Sequence, residues 1–199
     1  MSRPADFRER GVLVDAGTVR FERLLPGPID LVWKYLTTRE LLTTWLADGD
    51  IDPLPGEPID LEQDVDGLPI RNAGKVHGVV TRAEPPRLLA FTWDFIAGDE
   101  TREPGSPASG SEVELKLEER GDDTLLTLTH SRVPTNQLPA AGAGWHAHLS
   151  FMQAHLRGDR PRAFFTQYEA VLPIYVRELR RMDAARIREE QHANNERSN

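Results

Sequence analysis

The strongest constraint on this chain is a strand pattern followed shortly by a helix pattern, each with one apolar side. In Thr124-Leu125-Leu126-Thr127-Leu128-Thr129-His130-Ser131, Leu126, Leu128 and His130 share a face at the two-residue period of a strand. Just beyond, Trp145, Leu149, Met152 and Leu156 recur at helical spacing. An apolar sheet face and an apolar helix stripe both need covering, and each can cover the other. The pair predicts a long helix laid across a concave sheet, an arrangement that can enclose a pocket.

Other segments supply the rest of such a sheet. Residues 111–119 alternate most cleanly, with Val113, Leu115 and Leu117 on one side and Glu112, Glu114, Lys116 and Glu118 on the other. One covered and one wet face is the habit of antiparallel sheets. Strand signals also fall on residues 18–25, 59–64, 73–84 and 87–95, the last with Leu89, Phe91, Trp93 and Phe95 on one face. Gly121-Asp122-Asp123 reads as a hairpin connection. Pro28 suits the first turn of a helix carrying Ile29, Val32, Trp33 and Leu36, and a short helix over 38–46 carries Leu41, Leu42 and Trp45. Loops are expected over 47–58, at Asp66-Gly67, and over 97–110, where Gly, Pro, Ser and acidic residues predominate.

The long helix should run from near Pro139 to about Gly158, with a further helix after Asp159 and Pro161. Pro173 is expected to interrupt or kink this last helix, and loss of apolar periodicity beyond about Ile187 predicts fraying. The fold class is therefore α+β, with a curved antiparallel sheet of about six strands, two short helices after the first strand, and a long helix. Residues 1–160 form one domain, and 161–199 are a helical extension packed on it.

Composition narrows the functional classes. A formal net charge of −8 disfavours nucleic acid, whose sequence-independent binding needs Lys and Arg to displace counterions. Arg177, Arg180, Arg181, Arg186 and Arg188 are interspersed with Glu178, Asp183, Glu189 and Glu190, as on a solvated helix face. No stretch is long and apolar enough to span a membrane, and the polar opening residues lack the apolar middle of a secretory signal. The absence of cysteine excludes thiol nucleophiles and cysteine-ligated zinc, and with the other features points to the cytoplasm.

The order of elements resembles the helix-grip fold of the START-like, SRPBCC superfamily. Val32-Trp33-Lys34-Tyr35-Leu36-Thr37 with Trp45-Leu46, Arg87 to Trp93, Thr124 to Ser131, and Gly144-Trp145 look like the bacterial homologues of the heat-shock-protein ATPase activator. The likeness runs roughly over residues 19–157. It implies an apolar cavity between sheet and long helix, the usual site of lipids, polyketide-like aromatics or other small hydrophobic molecules in this superfamily. The eukaryotic activators use an additional amino-terminal domain that 199 residues are too few to contain, so co-chaperone activity does not follow from the family name.

The candidate pocket wall comprises Trp33, Trp45, Phe91, Trp93, His130, Trp145, His148, Leu149 and Met152, since rigid aromatics and adaptable methionine suit apolar ligands. Core packing accounts for the same residue types equally well. His77 is a further candidate for the covered face. His148 and His155 lie on one side of the helix but about 10 Å apart along it, too far to chelate one metal ion; no metal or other cofactor is implied. His130 is the candidate acid or base of a cyclase- or hydrolase-like alternative. Ser131 points to the opposite sheet face, which precludes a simple Ser–His dyad. A third reading makes the apolar stripe from Phe164 to Met182 a homodimer interface or a dock for a chaperone.

Overall fold

In the computed structural model, which describes residues 10–63, 74–97 and 110–197, the chain forms seven strands and four helices among those residues. The strands are β1 (Val12–Asp15), β2 (Thr18–Pro26), β3 (Pro58–Glu62), β4 (Gly74–Glu84), β5 (Leu88–Ala97), β6 (Ser111–Arg120) and β7 (Asp123–Ser131). The helices are α1 (Ile29–Thr37), α2 (Arg39–Leu42), α3 (Leu138–Leu156) and α4 (Phe164–Arg197). All strands belong to one sheet in the order β1-β2-β7-β6-β5-β4-β3, with antiparallel neighbours. The expected turn at Asp66-Gly67 and most of the expected loop over 97–110 lie outside the described residues.

Sheet register follows the alternation. Val19 pairs with His130, His130 with Val113, Val113 with Phe91, and Phe91 with Val80. All five are buried, so this row crosses the inner face from β2 to β4. The intervening residues of β6 remain on the wetter side, where Glu114 takes Arg82 and Lys116 as ionic partners. Burial pattern, rather than individual strand propensity, fixes this register: a slip of one residue would bury the Glu and Lys side chains.

Helix α3 covers the inner face with Leu138, Trp145, Leu149 and Met152. Its outer side is covered in turn by α4, which contributes Phe164, Val171 and Tyr175 to the same core. Gly142 permits this second layer, because a Cβ there would come within 3.2 Å of the Tyr175 ring. The Tyr175 hydroxyl then accepts the buried Gly11 N–H at 3.0 Å, tying α4 to the segment that leads into β1.

Several expectations need adjustment. There are seven strands rather than about six, because the short edge strand β1 precedes the expected first strand. Helix α2 spans Arg39–Leu42 and gives way to turns, shorter than the expected 38–46. Helix α4 runs through Pro173 without interruption and continues to Arg197. Proline deprives the Glu169 carbonyl of its helical donor, but both Pro173 and Glu169 are exposed, so water can satisfy that carbonyl. Beyond Ile187 the helix has little apolar burial; the Arg186–Glu190 pair at 2.8 Å supports its charged surface.

Candidate ligand-binding site

Three elements bring aromatic rings together where α3 crosses the inner sheet. Trp93 of β5 lies 5.0 Å from Trp145 of α3 and 6.0 Å from His130 of β7, measured between ring centroids. Trp145 and His130 meet edge to face at 6.1 Å. Phe91 extends the group along β5, 6.2 Å from Trp93, and His148 extends it along α3, 6.2 Å from Trp145. The Trp93–His130, Trp145–His130 and Trp145–His148 contacts are edge-on, as aromatic quadrupoles favour, while Trp93 meets Trp145 and Phe91 at tilted angles.

Two hydrogen bonds fix the protonation of the histidines. Trp145 donates its indole N–H to His130 Nδ1 at 3.0 Å. An indole nitrogen can only donate, so Nδ1 is unprotonated and the ring proton sits on Nε2. At His148 the logic reverses: Nδ1 lies 2.7 Å from the Trp45 carbonyl oxygen, which can only accept, so Nδ1 carries the proton. Burial pushes the pKa of each ring down to about 4, in His148 against the opposing effect of the carbonyl bond. Both rings are consequently neutral at pH 7, in opposite tautomers, on either side of Trp145.

Exposure along the inner face of β5 changes in one direction. Leu89 and Phe91 are fully buried, Trp93 is half-buried, and Phe95 is 44% exposed. The expected alternation therefore holds at one end of the strand, while its other end brings aromatic rings to the surface. His130 and Trp145 lie beside Trp93, next to this transition rather than deep behind it.

The sequence candidates divide accordingly. Phe91, Trp93, His130, Trp145 and His148 form the connected ring cluster. Leu149 and Met152 are buried in the same core, and Trp45 joins through its carbonyl while its indole N–H donates to the Tyr35 carbonyl at 2.8 Å. Trp33 packs partly buried against the core from α1, without a ring contact to the cluster. His77 does not join the covered face: it pairs with Asp60 on the β3–β4 surface, because Gly74, Val76 and Val80 take the inward phase of β4. There it lines a polar cleft of about 350 Å³ with Arg39, Asp48, Asp50, Glu62 and Lys75. Ser131 Oγ reaches the Glu112 carbonyl at 3.4 Å and takes no part with His130.

Two contributors were not apparent in the sequence. Phe164, the first residue of α4, stands 4.8 Å from His148 and closes the outer side of the cluster. Arg23 occupies the inward phase of β2 and is 1% exposed. Its guanidinium donates to the Glu22 carbonyl at 3.2 Å, lies 3.4 Å from His146 Nδ1, and sits 5.5 Å from the Phe21 ring centroid. The two-residue period from Val19 and Phe21 pointed Arg23 inward, although its charge argued for the opposite face. Burial, reinforced by the charges of Arg23 and Arg10, lowers the His146 pKa to about 4.

Among the described residues, no group of three or more His, Asp or Glu side chains is arranged to hold a metal ion. No helix among them is long and apolar enough to cross a membrane.

Comparison with known proteins fits this architecture. Residues 26–157 match the family described as Activator of Hsp90 ATPase homolog 1-like protein, and the chain belongs to that family. A Bordetella parapertussis protein solved by solution NMR is 34% identical, with a TM-score of 0.64 over 88% of this chain and 94% of the other. CalU16 from Micromonospora echinospora has the same fold at 24% identity, with a TM-score of 0.56 over 85% of this chain and 94% of its own. DynU16 has a TM-score of 0.55 at 20% identity, over 73% of this chain and 49% of its own. The comparison with curated proteins finds no match.

Proposed function

We propose that this protein binds a small, largely apolar aromatic molecule between the sheet and α3, beside Trp93, His130 and Trp145. The observation that carries the reading is the exposure gradient along β5, from fully buried Phe91 through half-buried Trp93 to 44%-exposed Phe95. Concave binding sites combine aromatic walls with a few polar groups, the combination that a run of rings from the core to the surface beside a histidine supplies here. Trp93 and Trp145 supply the ring faces, and His130 supplies the polar group. DynU16, which shares the fold, is described as a protein of the dynemicin biosynthetic locus, a setting compatible with small-molecule binding.

Native mass spectrometry of gently purified protein, followed by denaturing extraction, tests the proposal. A stoichiometric apolar compound is expected on the intact protein and in the extract. If the protein is apo and a panel of naphthalene-sized aromatics also fails to bind at their solubility limit, the proposal is wrong.

A further inference from the structure

The inner row through Val19, His130, Val113, Phe91 and Val80 is interrupted by a polar ring only at His130. A leucine or phenylalanine there would complete the row without desolvating an imidazole. Trp145 satisfies His130 Nδ1 and thereby places the proton on Nε2. That second nitrogen is buried and has no hydrogen-bond partner. Buried donors are nearly always paired, and an unpaired one costs about 1–3 kcal/mol. The Trp93 ring stands 6.0 Å away and is half-buried, so it links the buried imidazole to the surface of β5.

We propose that His130 Nε2–H is the selective hydrogen-bond donor of the site, and that it favours flat, uncharged aromatic molecules bearing a ketone, quinone or ester oxygen over hydrocarbons of the same shape. This inference rests on the binding reading given above and adds the chemical class of the occupant. The faces of Trp93 and Trp145 hold the flat ring, while the imidazole N–H fixes the position of the oxygen. A carboxylate would surrender its hydration to a single neutral donor, which disfavours anionic ligands. The low His130 pKa, about 4, keeps the imidazole from becoming a compensating cation at neutral pH.

Two probes of nearly identical shape separate the donor from the site that contains it: methyl naphthyl ketone and isopropenylnaphthalene. Their affinities are measured by titration calorimetry on the full chain, and the His130 ring nitrogens are followed by heteronuclear NMR. The ketone should bind about tenfold more tightly. It should also shift the His130 Nε2–H resonance, which the hydrocarbon should not do to the same extent. In His130→Phe the preference should fall to within about twofold with hydrocarbon binding retained; should that variant not fold, the two wild-type measurements still decide. Equal wild-type affinities, or a ketone preference without movement of the His130 resonance, would overturn the donor proposal and leave the binding site standing. Failure of both probes to bind would overturn the binding reading together with this one.

Discussion

The two flanks of α3 solve the problem of burying polar groups in opposite ways. On the β2 flank, polar contacts join separate elements: the Arg23 guanidinium lies 3.4 Å from the His146 imidazole, and the Gly11 N–H donates to the Tyr175 hydroxyl at 3.0 Å. Salt-bridged Arg10 and Glu178, 2.9 Å apart, close the outside of that flank. On the β5 flank, aromatic rings predominate, exposure rises toward Phe95, and His130 keeps a buried N–H without a partner although Trp145 satisfies its other nitrogen. The first flank holds α4 and the amino-terminal segment in place. The second is where the proposed site lies. The physical lesson is that polar contacts between elements stabilise what they join, whereas a buried donor beside partly exposed rings leaves capacity for another molecule.

Acid should disturb both flanks and gives the largest expected effect. His130, His146 and His148 each have a folded pKa near 4, against 6.5 for an unperturbed ring. The unfolded chain therefore takes up protons first as pH falls through 6.5. Their contribution to stability is full above that point, declines down to about pH 4, and is exhausted below it. Each ring contributes a loss on the order of 3 kcal/mol across the window. Urea unfolding at a series of pH values should show the decline, and His146→Asn should reduce its steepness.

Substitutions then separate the flanks. Tyr175→Ala should cost about 3–5 kcal/mol in chemical unfolding while leaving the affinity of a folded protein for methyl naphthyl ketone within about twofold. Trp93→Ala should cost only about 2 kcal/mol, since the ring is half-buried, but weaken that probe about tenfold or more. A reversal of these two patterns would mean that the flanks have been assigned the wrong roles. Tyr175→Phe removes only the acceptor of the Gly11 N–H and should cost about 1–2 kcal/mol. Phe95→Ala, at a 44%-exposed position, should cost about 1 kcal/mol or less, and its measurable consequence should be weaker probe binding.

Legibility in the sequence followed the same physical division. The strands with one wet and one dry face, β6 and β7, could be read from alternation alone because every second residue declared its side. Strand β1 escaped because it has four residues and exposes Val12 and Val14 while burying Leu13, so hydrophobicity did not alternate with burial. The course of α4 through Pro173 depended on solvent reaching Glu169, a tertiary circumstance rather than a sequence pattern. The inward phase of His130 was legible from Leu126 and Leu128, but its tautomer was not: that required the Trp145 indole to cross from α3. Arg23 obeyed the strand period and violated the hydropathy rule; the Glu22 carbonyl, His146 and the Phe21 ring are among the neighbours that accommodate it.

The four tryptophans permit one direct test of where binding occurs. Their indole N–H resonances can be assigned by substitution and followed by NMR during titration with methyl naphthyl ketone. The account predicts that Trp93 and Trp145 shift together and saturably, with much smaller changes at Trp33 on α1 and at Trp45, whose N–H is already held by the Tyr35 carbonyl. Saturable shifts confined to Trp33 or Trp45, or no saturable shift at any of the four, would contradict a binding site between β5 and α3.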